Sequence, residues 1–584
     1  MKLYERFGGR GFHTTLTTTF GIDFDAFENV VLTRLRGAGC FNTALLVDDG
    51  MLAYALDGAS VLPAHAGRHY TVTGIKAGGV FHPKITLQLG RNVGRLIVAS
   101  ANMTAPGLAG NLELAGEVEA ARDHPGGCQL RASAWSFLQR LIPAGDAGLG
   151  YQTEWMRRRA AWLFDTEPAS GPIVLADGEA AAWLASGENN GIGARFAELV
   201  EERPVRRLTV LSPYWDADLA ALKFLIEELR PAETVILIDA AKALFPSHAA
   251  WAIPASIFDV GDFAKDRFMH ATAVIAETTR PDHVLYGTAN CTLAALGDRT
   301  EAGVNSEACL YRRLGPNSLL QQLELSGFLE QRNPITAGAL PTWSVEDDLP
   351  LAVAQRRSPG RFKCQFDVLR RRPRRALAPG AAVELLGTAG VALPIGLESL
   401  EAEAGGTRQY RMRGVTEQPA FARLRFSDGA ESGLALVTVL GALREAVREV
   451  RSRKAESAAD RLGSGDTEAE LWLLEALNYL EAAEIADESV EDPGTHRTRQ
   501  AKPDDEIEPE FRRLTYDELI RGRRIRSDGG GIERNSLAAS ELSLVRNFLN
   551  RILSIGSDVT VASEREIIVG LDLGDETGDA EGAL

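Results

Sequence analysis

The stretch Phe81-His82-Pro83-Lys84-Ile85-Thr86-Leu87-Gln88-Leu89-Gly90, followed by Ser100-Ala101-Asn102-Met103-Thr104 and then Asn111 and Glu113, decides the reading of this chain because it is written twice. The second copy runs Met269-His270-Ala271-Thr272-Ala273-Val274-Ile275-Ala276-Glu277, then Gly287-Thr288-Ala289-Asn290-Cys291-Thr292, then Asn305 and Glu307. The interval from His to Asn is 20 residues in both copies (82 to 102, 270 to 290), and an Asn-x-Glu follows each. A lone His-x-Lys triplet carries no weight in a chain of this size, whereas two sets at one spacing do. Each His is expected on the front of an apolar-alternating strand, so His82 and Lys84, two apart, share a face. Each Asn is expected to end the next strand.

Outward from the repeat, short strands and helices alternate. Helical spacing covers Phe24 to Gly37 and residues 130–142, and strands are expected over 43–48, 70–75, 80–89 and 94–100. A second series follows: a strand and loop at 206–215, a helix at 216–230, and strands at 234–239, 268–276 and 283–287. The alternation argues an α/β class, two lobes with mixed sheets, at 1–150 and 170–335. Short strands with Gly and Pro turns suggest a β-rich domain over 350–440. A helical pair is expected over 441–485, a disordered linker over 486–510, where large apolar residues are nearly absent, and a helical tail over 511–584.

With 584 residues, the chain is long enough for several cores. Its five Cys include no CxxC, which excludes a Cys-rich zinc module and a disulfide framework. There is no GxxxxGK[ST], GxGxxG after a strand, HExxH or GxSxG, and the nine His include no trio at metal-ligand spacing. NTPase, dinucleotide, zincin and α/β-hydrolase readings therefore lose their warrant, and no metal or cofactor is expected. No apolar run approaches membrane-spanning or signal-peptide length, so the expectation is a cytoplasmic protein without a membrane partner. The net charge is −17, with most of the negative excess after residue 400. Nine basic residues nevertheless crowd into 356–375, including Arg370, Arg371, Arg372, Arg374 and Arg375. Local charge governs contacts within a Debye length of about 8 Å, so this run is a candidate nucleic-acid contact; a solvated face is the plainer alternative.

The residue types of one copy suit a phosphate group. Lys84 offers a point charge, Asn102 an amide N–H, and His82 either attacks phosphorus or donates a proton. A downstream carboxylate fixes an imidazole tautomer by holding its N–H. Two copies face to face supply both a nucleophile and a general acid. The ammonium of Lys84 favours a neutral, attacking His82, while His270, beside Thr272, keeps its proton more readily and suits the acid role. Glu113 is expected to orient His82 or the partner imidazole across the cleft; the sequence leaves both open.

These motifs resemble the phospholipase D superfamily, whose mark is two HxK…(G/S)xN motifs forming one active site, with a flavour nearer its nuclease-like branch. The similarity covers about residues 1–330, including Leu-Ser-Pro-Tyr-Trp-Asp (211–216), which resembles the family's strand-to-helix entry to a repeat. The resemblance implies a metal-independent, two-step phosphodiester reaction through a phosphohistidine. It places His82, Lys84, Asn102, Glu113, His270, Asn290 and Glu307 in the catalytic set, with Ser100, Thr104, Asn111, Thr272, Thr288 and Asn305 supporting. Two departures stand out: Gly90 occupies the position of the first copy's acidic residue, and Thr272 replaces the second Lys. The expected function is a nuclease acting on DNA or RNA, resembling effector subunits of prokaryotic antiphage systems, with protein partners at the C-terminal region. The alternatives are a degenerate repeat serving as a nucleic-acid-binding or assembly subunit, and a lipid phosphodiesterase.

Overall fold

The computed structural model describes residues 2–335, apart from residues 10, 58–60, 188–189, 243–244, 247–252 and 265–266, together with 382–399, 410–413, 417–427, 429 and 431–447. Apart from 398–399 and 410–412, these belong to one compact unit. The arginine run at 370–375, the linker at 486–510, the tail at 511–584 and most of the expected helical pair lie outside the described residues.

The central strand of the first lobe is β1 (Phe12–Thr19), sequence FHTTLTTT, buried along its whole length. Its threonines are β-branched and so suit a strand. Their hydroxyls find partners inside: Thr17 Oγ1 meets Thr86 Oγ1 at 3.1 Å, and Thr18 Oγ1 accepts from Ile85 N at 3.0 Å. Around β1 lie β2 (Asn42–Asp48), β3 (Thr71–Ile75), β4 (Ile85–Gly90), β5 (Val93–Ala99) and β6 (Ala115–Ala121), in the order β3-β2-β1-β4-β5-β6. The β1–β2 and β2–β3 pairs are parallel, and the pairs from β1–β4 to β5–β6 antiparallel.

The second lobe repeats this plan. Its strands are β7 (Ile173–Val174), β8 (Ala180–Ala185), β9 (Arg207–Leu211), β10 (Glu233–Ile238), β11 (Ser256–Asp259), β12 (Ala273–Glu277), β13 (Asp282–Gly287) and β14 (Ala308–Leu314). The order is β11-β10-β9-β12-β13-β14-β8-β7, so its first six positions match the first lobe strand for strand, with the same parallel and antiparallel neighbours. The expected α/β class with two mixed-sheet lobes is the architecture observed.

Side-chain alternation along the strands feeds two kinds of core. Inner faces, with Leu16, Leu87, Leu96 and Val98 from one sheet and Ala273, Ile275, Tyr286 and Leu310 from the other, share one continuous core. The helix Pro125–Leu141 contributes Leu130, Trp135 and Leu138 to it and sets Phe137 against Trp183 at 5.9 Å. The outer faces are covered separately: Leu45, Val47 and Ile97 beneath Phe27 and Val31, and Val210, Ile236 and Val274 beneath Phe196, Leu222 and Leu225. At the lobe boundary Gly116 of β6 lies so close to Tyr286 of β13 that a Cβ there would overlap the phenol ring. A three-stranded antiparallel sheet of Ala382–Leu386, Phe421–Arg425 and Ala435–Leu436 adds Leu386 and Phe421 to the first lobe's outer core.

One local expectation is corrected. His82-Pro-Lys84 and His270-Ala-Thr272 do not lie on strands; each precedes one, at Ile85 and Ala273. Pro83 carries no N–H, and the flanking backbone groups are used elsewhere.

Candidate active site

The backbone just before each histidine pairs with the opposite lobe. Phe81 forms a parallel bridge with Ser306, and Met269 forms the equivalent bridge with Leu112. His82 N donates to Ser306 O and Ser306 N to Val80 O, both at 2.9 Å. Symmetrically, His270 N donates to Leu112 O at 2.9 Å and Leu112 N to Phe268 O at 2.8 Å. Each His is thereby stitched beside the segment carrying the other lobe's glutamate.

The consequence is a reciprocal exchange. His82 Nδ1 lies 2.9 Å from Glu307 Oε2, and His270 Nδ1 lies 3.0 and 2.9 Å from the two oxygens of Glu113. Of the two partners left open for Glu113, it takes His270, across the lobe boundary. The supports also match. Ser100 Oγ donates to Glu113 at 2.5 Å and Asn111 Nδ2 at 3.1 Å; Thr288 Oγ1 donates to Glu307 at 2.5 Å and Asn305 Nδ2 at 3.3 Å. With Nδ1–H donated to a carboxylate, each imidazole presents Nε2 for chemistry.

Burial sets the charges. His82 is 4% exposed and Glu307 0%. Desolvation holds the His82 pKa below its ordinary value, against the opposing pull of Glu307; the neighbouring Lys84 and His270 lower it further. Neutral His82 is therefore the resting form, Nδ1–H toward Glu307. Lys84 is 3% exposed, and desolvation brings its pKa down to about 7 although Glu307, Glu113 and Asp48 oppose the fall. Its Nζ donates to His82 O at 2.9 Å and lies 5.9 Å from the Phe20 ring centroid.

The amides are placed by turns. Asn102 Oδ1 accepts from Gly21 N at 3.3 Å, and Gly107 packs so tightly on the Asn102 backbone that a Cβ would lie 2.8 Å from its N. Asn290 is 6% exposed, and its amide has no hydrogen-bond partner among the described residues. Thr104 caps the turn after Asn102, its Oγ1 accepting from Gly107 N at 3.3 Å. Thr272 is buried at 5% exposure in the position matching Lys84, leaving the second lobe without an ammonium. Among the described residues, no three His, Cys, Asp or Glu side chains come together to hold a metal ion, and no helix is long and apolar enough to cross a membrane.

Sequence reasoning missed several neighbours. Asp48, at the end of β2, accepts from Phe81 N at 2.9 Å and fixes the approach to His82. Phe20 stands edge-on to His82 at 5.4 Å. Tyr214 stands edge-on to His270 at 6.2 Å, and Phe268 lies 5.6 Å from the same ring. The signal for Phe20 and Tyr214 was their place just after the first strand of each repeat.

No family profile matches the sequence, and no curated protein matches it. Among solved structures, the chain is similar to a yeast tyrosyl-DNA phosphodiesterase (TM-score 0.39, 11% identity, covering 53% of this chain and 85% of that one). It is also similar to a phosphatidylserine synthase of Haemophilus influenzae Rd KW20 (TM-score 0.36, 13% identity, 63% of this chain and 90% of that one). A third is a polyphosphate kinase of Porphyromonas gingivalis (TM-score 0.31, 10% identity, 58% and 51%).

Proposed function

We propose that the chain is a phospholipase D-type phosphodiesterase that cleaves nucleic acid through a phosphohistidine. The reciprocal His82–Glu307 and His270–Glu113 pairs support this reading, because each holds an imidazole by Nδ1 against a carboxylate of the other lobe, with no hydrogen-bond partner for either Nε2 among the described residues. In the first step the His82 Nε2 lone pair attacks phosphorus, and the leaving oxygen takes the His270 Nε2 proton as its P–O bond breaks. In the second, His270, now neutral, accepts a proton from water as the water oxygen attacks the phosphohistidine and releases His82. Lys84, Asn102 and Asn290 hold the nonbridging oxygens, where donors fixed in advance act most strongly. Glu307 balances the charge that appears on His82.

The nucleic-acid substrate is supported by the arginines at 370–375 and the absence of an apolar membrane-facing segment from the sequence. A role as a cytoplasmic antiphage effector, with partners at the C-terminal region, rests on the resemblance alone. Thr272 favours a second reading, a binding or assembly subunit without turnover.

The test is incubation of the full chain and His82→Ala with labelled single- and double-stranded DNA and RNA in EDTA, beside phosphatidylcholine vesicles. Cleavage of a nucleic acid, lost in His82→Ala, is expected. Binding without cleavage would support the second reading, and release of choline or phosphatidic acid would move the substrate to lipid.

A further inference from the structure

The two halves of the site differ in one respect that Thr272 alone does not describe. Where β1 ends, Thr19 Oγ1 accepts from Met103 N at 3.0 Å and Ile22 bridges Met103. Where β9 ends, Ser212 Oγ accepts from Cys291 N at 3.0 Å and Trp215 bridges Cys291. These contacts align Thr19-Phe20-Gly21-Ile22 with Ser212-Pro213-Tyr214-Trp215, so Tyr214 stands where the first lobe has Gly21. The lobe that has lost its ammonium has gained a phenol beside its histidine.

Tyr214 is held firmly. Trp215 is 3% exposed, and its indole N–H donates to Ser212 O at 2.9 Å, while Ser212 Oγ donates to Tyr214 O at 2.7 Å. The ring lies edge-on to His270 at 6.2 Å. Its hydroxyl has no hydrogen-bond partner among the described residues and is not sealed from solvent, so it is open to an incoming ligand. Desolvation and the Glu113 carboxylate raise its pKa, so the proton stays on oxygen and the group remains a donor.

We propose that the Tyr214 hydroxyl donates a hydrogen bond to the phosphate held between His82 and His270, taking in the second lobe the place of the ammonium that Thr272 does not supply. The proposal rests on the reading of these histidines as a phosphodiester site. Tyr214 transfers no proton in it; it holds a nonbridging oxygen opposite Lys84. A neutral donor there leaves the site with one lysine cation rather than two.

The experiment measures calorimetric binding of orthovanadate, a phosphate analogue, and turnover of bis(p-nitrophenyl) phosphate. The full chain is compared with Tyr214→Phe, Thr272→Lys, the double variant and His82→Ala. Loss of one hydrogen bond to a charged group in Tyr214→Phe should weaken vanadate binding and lower turnover by about 10- to 100-fold. Restoring the lysine should recover most of that loss in the double variant, because an ammonium then fills the donor position. Unchanged vanadate binding in Tyr214→Phe would overturn the proposal and leave the histidine site standing. A double variant as defective as Tyr214→Phe would also overturn it, returning Tyr214 to a packing role. Vanadate that fails to bind the parent chain, or binds His82→Ala equally well, would overturn the underlying site as well.

Discussion

Replacing Glu307 by Gln removes one charge from a fully buried position and keeps the side chain's shape. The carboxylate accepts from His82 Nδ1 at 2.9 Å, Thr288 Oγ1 at 2.5 Å and Asn305 Nδ2 at 3.3 Å. As His82 attacks phosphorus its ring becomes cationic, and a facing carboxylate about 4 Å from the ring charge is worth about 4 kcal/mol at an effective dielectric of about 20. At 1.36 kcal/mol per tenfold, Glu307→Gln should slow formation of the phosphohistidine about 1,000-fold. The pKa of His82 falls further in this variant, because Glu307 is the chief opponent of desolvation there. Glu113→Gln acts on His270 instead. With p-nitrophenolate as the leaving group no protonation is needed, so its first burst should stay within about tenfold of the parent while steady-state turnover slows. Stopped-flow release of p-nitrophenolate separates the two phases, and near-UV circular dichroism confirms that each variant is folded. A burst slowed by Glu113→Gln and spared by Glu307→Gln would refute the cross-lobe assignment.

Four further outcomes follow, three from the same geometry and the last from the sequence. Lys84, with a pKa of about 7 against an ordinary 10.5, loses its charge in the free protein as pH rises through about 7, while a bound phosphodiester anion retains the proton; kcat/KM should fall above about pH 7 and kcat only at higher pH. In that window, from about 7 to 10.5, the unfolded chain binds more protons than the folded one, so stability rises with pH, and Lys84→Met should flatten the rise in thermal melts. Gly116→Ala pushes a methyl group into Tyr286 across the lobe boundary and should cost about 1–3 kcal/mol, read as a lowered Tm with a parallel loss of activity. Replacing Arg370, Arg371, Arg372, Arg374 and Arg375 by Ala should flatten the salt dependence of nucleic-acid binding by about 0.9 in log–log slope for each phosphate they no longer neutralise; an unchanged slope assigns them to a solvated face.

The repeat, the two lobes and the mixed sheets were legible because strand periodicity and the 20-residue His-to-Asn spacing are local. The central strand β1 was not, since five threonines among eight residues read as polar until their hydroxyls are seen paired inside the sheet. The residues of the site were legible as types, but their pairing was not. Glu307 lies 225 residues from His82, and Glu113 lies 157 residues from His270. Only the bridges Phe81–Ser306 and Leu112–Met269 decide which carboxylate meets which imidazole. The same bridges explain why both histidines precede their strands: that backbone is committed to the opposite lobe. Asp48 was not legible because it reaches the site from the end of β2, outside both motifs, and Tyr214 because its segment was legible only as the entry to a repeat, with nothing local to bring its ring beside His270.

The most direct measurement is chemical trapping of the covalent intermediate. The full chain is mixed with a 32P-labelled p-nitrophenyl phosphodiester, whose leaving group needs no proton from His270, then quenched in alkali to preserve phosphohistidine, digested and mapped by mass spectrometry. The account predicts phosphate on the peptide containing His82, more of it in His270→Ala and none in His82→Ala. Phosphate on His270 in the parent chain would reverse the two roles, and turnover that survives in His82→Ala would contradict the account outright.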